Sequence, residues 1–532
     1  MIRISQIKID ADIKNADKAL KQAIKKKLRL SDIPEYRIVK KSLDARHKPK
    51  LYYVYTVELD LPHSVISRSL KADRNITEAS DNSYKWPEGD LKNIDSNGKD
   101  RPVIIGMGPA GLFCAYMLAV NGCRPIVYER GLPVDERTRD VEQFFVSGEL
   151  NPNSNIQFGE GGAGTFSDGK LNTLVNDRYG RNAEVLKIFV KNGAPDHILY
   201  DSKPHIGTDI LRTVVKNMRH TILECGGDIY FEHKLTDIKP VGDHVKAIIN
   251  DLIEAETDAL VLAIGHSARD TYHMLAEKGI KMSAKPFAVG LRVLHPQSLI
   301  DMSQYGRDNS DRKLPPASYK LTHKAVTGRN IYSFCMCPGG YVVNASSESG
   351  LTVVNGMSYS KRAGHYANSG IIMNIDINDF GSDDTFAGLR YLESLEKKAY
   401  DLGGGHIPVQ TLGAYKAGVT DCGAIDTDGF KGNICNTDLT GLFDKDLKDT
   451  FIDGMKRFDQ IIPGFGNDEV ILAGVESRTS SPVRILRDET YYSSVSNIYP
   501  CGEGAGYAGG ITSAAMDGII IAEEIWKRHM TR

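Results

Sequence analysis

The stretch whose reading decides the fold is PVIIGMGPAG, residues 102–111. A short apolar run breaks into three glycines spaced G-x-G-x-x-G, at Gly106, Gly108 and Gly111. The run reads as a buried strand and Ala110 to Asn121 as a helix; RPIVYER follows as a second strand, completing a β-α-β unit of a parallel sheet. The three glycines do different things. Gly106 makes the strand-to-helix turn, Gly108 lets backbone approach a pyrophosphate, and Gly111 lets helix and strand pack closely. Pro109 and Ala110 open the helix, whose N-terminal amides point at phosphates. Glu129, at the end of the second strand with Arg130 beside it, is placed to accept hydrogen bonds from a ribose diol. The glycines alone do not separate NAD from FAD.

Working outward from this unit, the first 61 residues form a basic α+β module. IRISQIKI reads as a strand, and Ala16, Leu20, Ile24 and Leu28 place one apolar stripe along a helix. EYRIVKKSLDA is a second strand. In LYYVYTVELDL, Leu51, Tyr53, Tyr55, Val57, Leu59 and Leu61 alternate with the other face, so the module is β-α-β-β. Residues 62–99 are rich in Ser, Asn, Asp and Lys and read as a linker. After the motif, Asp209 to Cys225 reads as a helix, and GDIYFEH and DALVLAIG as strands. Residues 285–488 are more mixed, with strands such as FAVGLRVL and IIMNIDI. The last stretch, from Asn497, returns to strand, Gly-rich turn and helix.

A chain of 532 residues with a formal charge of −2 has no global field directing it to nucleic acid or an anionic membrane. Neither a secretory signal nor an apolar run of bilayer length is visible. Eight cysteines without C-x-x-C spacing fit a reduced cytoplasmic protein. Spacing argues for no metal site, no Ser-His-Asp triad and no paired catalytic carboxylates.

Two distant segments separate the dinucleotides. TDALVLAIGHSARD resembles the strand and A-x-G turn, here Ala263 and Gly265, of flavoproteins in the glutathione-reductase-like superfamily. IYPCGEGAG resembles their C-terminal flavin motif, with Glu503 after Gly502 where that superfamily usually has Asp. The resemblance implies that Glu503 binds the ribitol of FAD and that the helix after Gly509, Gly510 and Ile511 points its positive end at the flavin pyrimidine edge. Gly504, Gly506 and Gly509 also fit G-x-G-x-x-G, but the chain ends too soon for a second nucleotide fold. EGGAGTFSDGKLNT, with Gly161, Gly162, Gly164, Thr165 and Lys170, is implied to run beside the pyrophosphate and isoalloxazine. Arg137 and Arg139 upstream are candidates to neutralise the phosphates.

Together with FCMCPGGYVVNA, GVESRTSSPVRI and YPCGEGAGYAGG, these segments look like a large family of uncharacterised FAD-dependent dehydrogenases. The implied architecture is α/β with α+β parts: a Rossmann-like FAD domain at 100–284 and 489–532, split by an inserted mixed β/α domain at 285–488, after the small module and linker.

The flavin would carry the redox chemistry, so residues facing it are the candidates for catalysis. Cys335 and Cys337 form a C-x-C pair, which on a regular strand shares one face; redox exchange and plain packing are both open to it. Arg478, Thr479, Ser480, Ser481 and Arg484 gather donors and positive charge before the flavin motif, suiting an anionic substrate or a flavin anion. Arg292 and His295 are similar candidates. The expected activity is FAD-dependent oxidation or reduction of a small molecule, with NADH or NADPH as a possible donor. Up to Leu61 the chain carries fifteen Lys or Arg against eight Asp or Glu. That surplus keeps open an RNA-directed, tRNA-modifying flavoprotein; a noncatalytic flavin redox sensor is a further alternative.

Overall fold

The computed structural model describes residues 1–80, 83–89, 101–311, 313–382, 384–421 and 423–531, the side chains of 530 and 531 excepted. Cys422 and most of the second half of the expected linker, residues 90–100, lie outside the described residues.

PVIIG forms the strand Val103–Ile105 at the centre of a five-stranded parallel sheet. On one side lie Ile126–Tyr128 and then Asp228–Tyr230; on the other, Leu260–Leu262 and then Ile498–Pro500. The final strand therefore joins the first sheet instead of founding a second nucleotide fold. Central strands buried on both faces need apolar residues throughout, which is why VII and LVL show no alternation. The helix Pro109–Val120 is apolar on all sides for the same reason, packed between the sheet, Thr208–Glu224 and Ile511–Thr531. An antiparallel meander, Leu235–Val241, His244–Ile249 and Ile253–Thr257, connects two of the parallel strands.

The chain leaves this unit along Met282–Ala284 and returns along Val483–Ile485, and the two segments pair antiparallel. Between them stands a seven-stranded sheet in the order Thr322–Lys324, Asn330–Cys337, Tyr366–Ile375, Phe287–Pro296, Ile471–Glu476, Ile407–Thr411 and Ile434–Asn436. Helices Gln297–Tyr305, Ala387–Gly403 and Lys445–Ile461 bury their apolar stripes on its core. A three-stranded sheet, Tyr341–Asn344, Val354–Met357 and Phe430–Lys431, adds a further apolar layer.

The N-terminal module has the expected helix, Ala16–Leu28, with Leu20, Ile24 and Leu28 buried. Its sheet is larger than β-α-β-β. The supposed linker contributes the helix His63–Ala72 and the strand Ile76–Glu78, which pairs with Ile2–Ile4. The helix escaped sequence reading because a small apolar face, with Ile66 and Leu70 against the core, is scattered among serines and lysines. Tyr84 and Trp86 then strap across the C-terminal helix, Trp86 edge-on to Trp526 at 5.6 Å and Tyr84 donating to Glu523 at 3.0 Å. Among the described residues no helix is long and apolar enough to cross a membrane.

Ile76 is buried at the edge of the module's core. Ile76→Ala should lower stability by about 2–5 kcal/mol, read as a lower urea midpoint, where a residue in a solvated connection would cost about 0.5 kcal/mol or less.

Candidate cofactor and substrate cavity

Two glycine turns face each other at the carboxyl end of the parallel strands. Gly106 has φ +95°, and a Cβ there would lie 2.4 Å from the Ala263 carbonyl oxygen. A Cβ on Gly111 would lie 2.0 Å from the Gly106 carbonyl oxygen, so the two glycines make the tight turn and the close packing read from their spacing. The second turn docks on the first: Gly161 N–H donates to the Met107 carbonyl at 2.8 Å, and a Cβ on Gly162 would strike Gly108 Cα at 2.8 Å.

Glu129 ties these turns together. Its carboxylate accepts from the backbone amides of Met107 at 2.7 Å, Gly131 at 2.9 Å and Gly159 at 2.9 Å. A carboxylate has about four acceptor positions, so capacity remains for a ribose hydroxyl where Glu129 borders the cavity. Arg130 borders it as well, paired with Asp270 at 3.0 Å and lying over the Phe158 ring.

The cavity has a volume of about 340 Å³. That is within the range of small-molecule sites, roughly 300–1,000 Å³. One wall carries Gly106, Gly108, Pro109, Ala110, Gly162, Gly164 and Lys170. Ala263 and Gly265 come from the A-x-G turn, and Glu503, Gly509, Gly510 and Ile511 from the C-terminal motif. The opposite wall belongs to the segment between the crossing strands: Phe334, Cys335, Asn355, Arg478 and Thr479. His266, not singled out from sequence, places Nδ1 3.2 Å from Glu503 Oε1, while its buried Nε2 has no hydrogen-bond partner. The bare glycine wall, the spare acceptors of Glu129 and this unpartnered nitrogen fit a dinucleotide that brings phosphates and hydroxyls. Glu129 would hold its ribose, the turns at Gly108 and Gly162 its pyrophosphate, and Glu503 with His266 the far end. FAD would supply two-electron redox chemistry there.

Several expected contacts are placed otherwise. Arg137 is fully buried and spends its guanidinium on the carbonyls of Asn155, Ile156, Gly159 and Glu160, so it shapes the loop instead of meeting phosphate. Arg139 is exposed beside Glu136. Thr165 donates to the Glu160 carbonyl from within the loop, and Gly161 and Gly502 act through packing, a Cβ on Gly502 meeting Ala110 Cβ at 2.5 Å. His295 is core: Nε2 bonds the Phe465 carbonyl at 2.9 Å, the two rings lie tilted against each other with centroids 4.0 Å apart, and burial pushes its pKa down to about 4. Ser481 bonds the Val483 carbonyl and Tyr272, Arg484 reaches the Gly506 carbonyl, and Ser480 stands outside the cavity wall. Arg292 and Cys337 lie behind the wall, with Arg292 paired to Glu476 at 2.7 Å.

Arg478 does border the cavity, but its charge is matched. It donates to Glu396 at 3.2 Å and to Ser347 at 2.5 Å, and Glu396 also receives Arg269 at 2.9 Å. Burial works against the Glu396 charge, yet Arg478 and Arg269 outweigh it and hold its carboxyl down at about 2. Asp168, buried beneath Lys170, bonds Arg362 at 2.6 Å and Lys170 at 3.3 Å.

These buried charges have measurable consequences. Glu129→Ala strands three amides at about 1–3 kcal/mol each, so the melting temperature should fall sharply in protein stripped of flavin, where cofactor contact plays no part. Glu396→Gln leaves two arginines partly uncompensated, a loss of about 3–5 kcal/mol at pH 7. A depressed carboxyl stabilises the fold above its unfolded value and loses that contribution as pH falls. Urea melts should therefore show the gap between wild type and Glu396→Gln closing as pH drops from near 4.5 towards about 2.

Residues 286–479 match the family described as FAD-dependent protein, C-terminal domain-like, and residues 1–60 match a domain of unknown function, DUF8436. A protein of Clostridium beijerinckii, described as an uncharacterized protein, is 41% identical over 539 residues, spanning 98% of each chain. Among solved structures, tetracycline destructase Tet(51) aligns with a TM-score of 0.35 and 12% identity over 82% of this chain and 85% of that one. Halogenase PltM, in complex with phloroglucinol and FAD, aligns with a TM-score of 0.38 and 9% identity over 81% and 70%. The chain belongs to the family of the Clostridium beijerinckii protein, and its residues 286–479 are similar to the C-terminal domain of an FAD-dependent protein family.

Proposed function

We propose that the protein is an FAD-dependent oxidoreductase, a dehydrogenase or reductase, that encloses a small-molecule substrate between the cofactor-binding sheet and the inserted domain. The observation that carries this reading is the two-walled cavity, with nucleotide-type glycine turns on one side and side chains of the inserted domain on the other. The residues divide the work by their chemistry. Glu129 and the glycine amides bind and orient the cofactor, and the inserted wall excludes water from its reactive face. Lys170 offers a cavity-side cation: burial disfavours its charge, but Asp168 more than restores it, so its pKa rises. Asp168 divides its charge between that ammonium and Arg362, so Lys170 contributes to binding an anionic group only in part. Arg478 contributes less to such binding than its sequence context suggested, because Glu396 already compensates it.

The alternative of an RNA-directed flavoprotein rests on the module's surplus of Lys and Arg over Asp and Glu, which ion pairs within the module, such as Lys21 with Asp17 and Arg37 with Glu58, leave unchanged. Free thiols at the described cysteines suit a reduced, cytoplasmic setting.

The test is the visible spectrum of the purified chain, followed anaerobically as NADH and then NADPH is added. A flavin band that bleaches with either establishes the oxidoreductase and its donor. A flavin band that both leave unchanged moves the search to substrates that donate electrons directly. Protein that carries no flavin and cannot be loaded with it overturns the reading.

A further inference from the structure

On a regular strand the two sulfurs of a C-x-C pair would be separated by two residues' rise, roughly 6.5–7 Å between Cα atoms. The strand Asn330–Cys337 is not regular at this point. Phe334 stands opposite Gly370 and Cys337 opposite Asn368, so Cys335 and Met336 together face one partner residue. Cys335 sits in the left-handed region at φ +44°, uncommon for a residue with a side chain. The bulge turns Cys335 into the wall of the cofactor cavity, half-buried, and leaves Cys337 fully buried behind it.

Independent contacts hold this arrangement. Arg292 donates to the Cys335 carbonyl at 3.1 Å and lies 3.8 Å from Cys337 Sγ, itself clamped by Glu476. Lys170 donates to the Met336 carbonyl. Cys337 Sγ lies 3.2 Å from the Cys335 carbonyl oxygen. Gly356 leaves the space that Arg292 and Cys337 occupy: a Cβ there would lie 2.6 Å from Cys337 Sγ. The two thiols are consequently unequal. The Cys337 thiol donates towards Cys335 and, with Lys170 and Arg292, lowers its pKa against burial and the nearby Asp168. Burial, followed by the neighbouring Cys335, pushes Cys337 up. The more acidic thiol lines the cavity and the less acidic one lies behind it, an inequality that favours attack by Cys335 in disulfide exchange.

We propose that Cys335 and Cys337 are a redox-active dithiol of the cofactor cavity. Their sulfurs join as the Cys337 S–H bond breaks. Two electrons and that one proton pass to oxidised FAD, which leaves as its two-electron-reduced anion; in reverse, the reduced flavin reopens the disulfide. The electron acceptor in this step rests on the FAD reading above, whereas the pairing of the sulfurs does not.

The experiment uses the full chain loaded with FAD and scores thiols instead of turnover. Trypsin releases Asn330–Lys361, whose only cysteines are Cys335 and Cys337. Protein equilibrated anaerobically in mixtures of reduced and oxidised glutathione is quenched with iodoacetamide under denaturing conditions and that peptide weighed. The expected result is a peptide two hydrogens lighter and unalkylated at the oxidising end, and doubly alkylated at the reducing end. Photoreduction of the flavin in the oxidised sample should then convert the first form into the second. In native wild-type protein at pH 7, Cys335 should react with iodoacetamide at least about tenfold faster than Cys337, and Cys337→Ala, which removes the donor, should slow it, with an unchanged flavin band reporting that the variant is folded. Two alkylatable thiols at every poise, beside an intact flavin band, overturn the dithiol. A disulfide that persists while the flavin bleaches overturns its exchange with the flavin. Should no flavin band form, the FAD reading fails, and the glutathione series still decides the pairing of the sulfurs.

Discussion

The cofactor half of the molecule depends on one buried carboxylate. Glu129 receives three backbone amides, each from a different turn, and thereby fixes the first glycine turn, the end of the second strand and the loop at Gly159 relative to one another. The same loop is gripped from its other side by Arg137, which takes four of its carbonyls. Two buried charges of opposite sign thus act on one loop without touching: peptide groups between them supply the solvation that water would otherwise give. Burial draws the Arg137 pKa down to about 9, with Glu129 and Glu160 supporting its charge.

The opposite wall follows a different rule. There the buried charges pair directly, Arg292 with Glu476 and Arg269 and Arg478 with Glu396. Such pairs do little net stabilising work in a protein interior, but a single geometry satisfies them. Both anchor groups that border the cavity: the first holds the bulge at Cys335, the second the side chain of Arg478. One wall is a backbone surface kept bare of side chains, the other a side-chain surface kept in register.

What could be read from sequence was what is local. The turn at Gly106, Gly108 and Gly111 and the acid at Glu129 are encoded within one β-α-β unit, and the matching strand at Ile498–Pro500 declares itself by apolar residues ending in glycine. Arg137 and His295 were misplaced because their partners, carbonyls at 155–160 and at Phe465, are chosen by tertiary packing. The helix His63–Ala72 hid behind polar composition. His266 had a signal, a histidine directly after the A-x-G turn, but only the fold brings it to Glu503. Likewise C-x-C spacing suggested one face of a flat strand, and no local residue announced the bulge that separates the two thiols.

The ribbon formed by Met282–Ala284 and Val483–Ile485 brings the departure and return of the chain side by side. The cofactor sheet therefore meets everything between those strands as a loop with fixed ends. Closing a longer loop costs only slightly more entropy than closing a shorter one, so the enclosed segment is free to grow, shrink or be exchanged while the glycine turns keep their places. The ribbon is in that sense a socket: its two strands fix where the enclosed segment is mounted, whatever that segment's length.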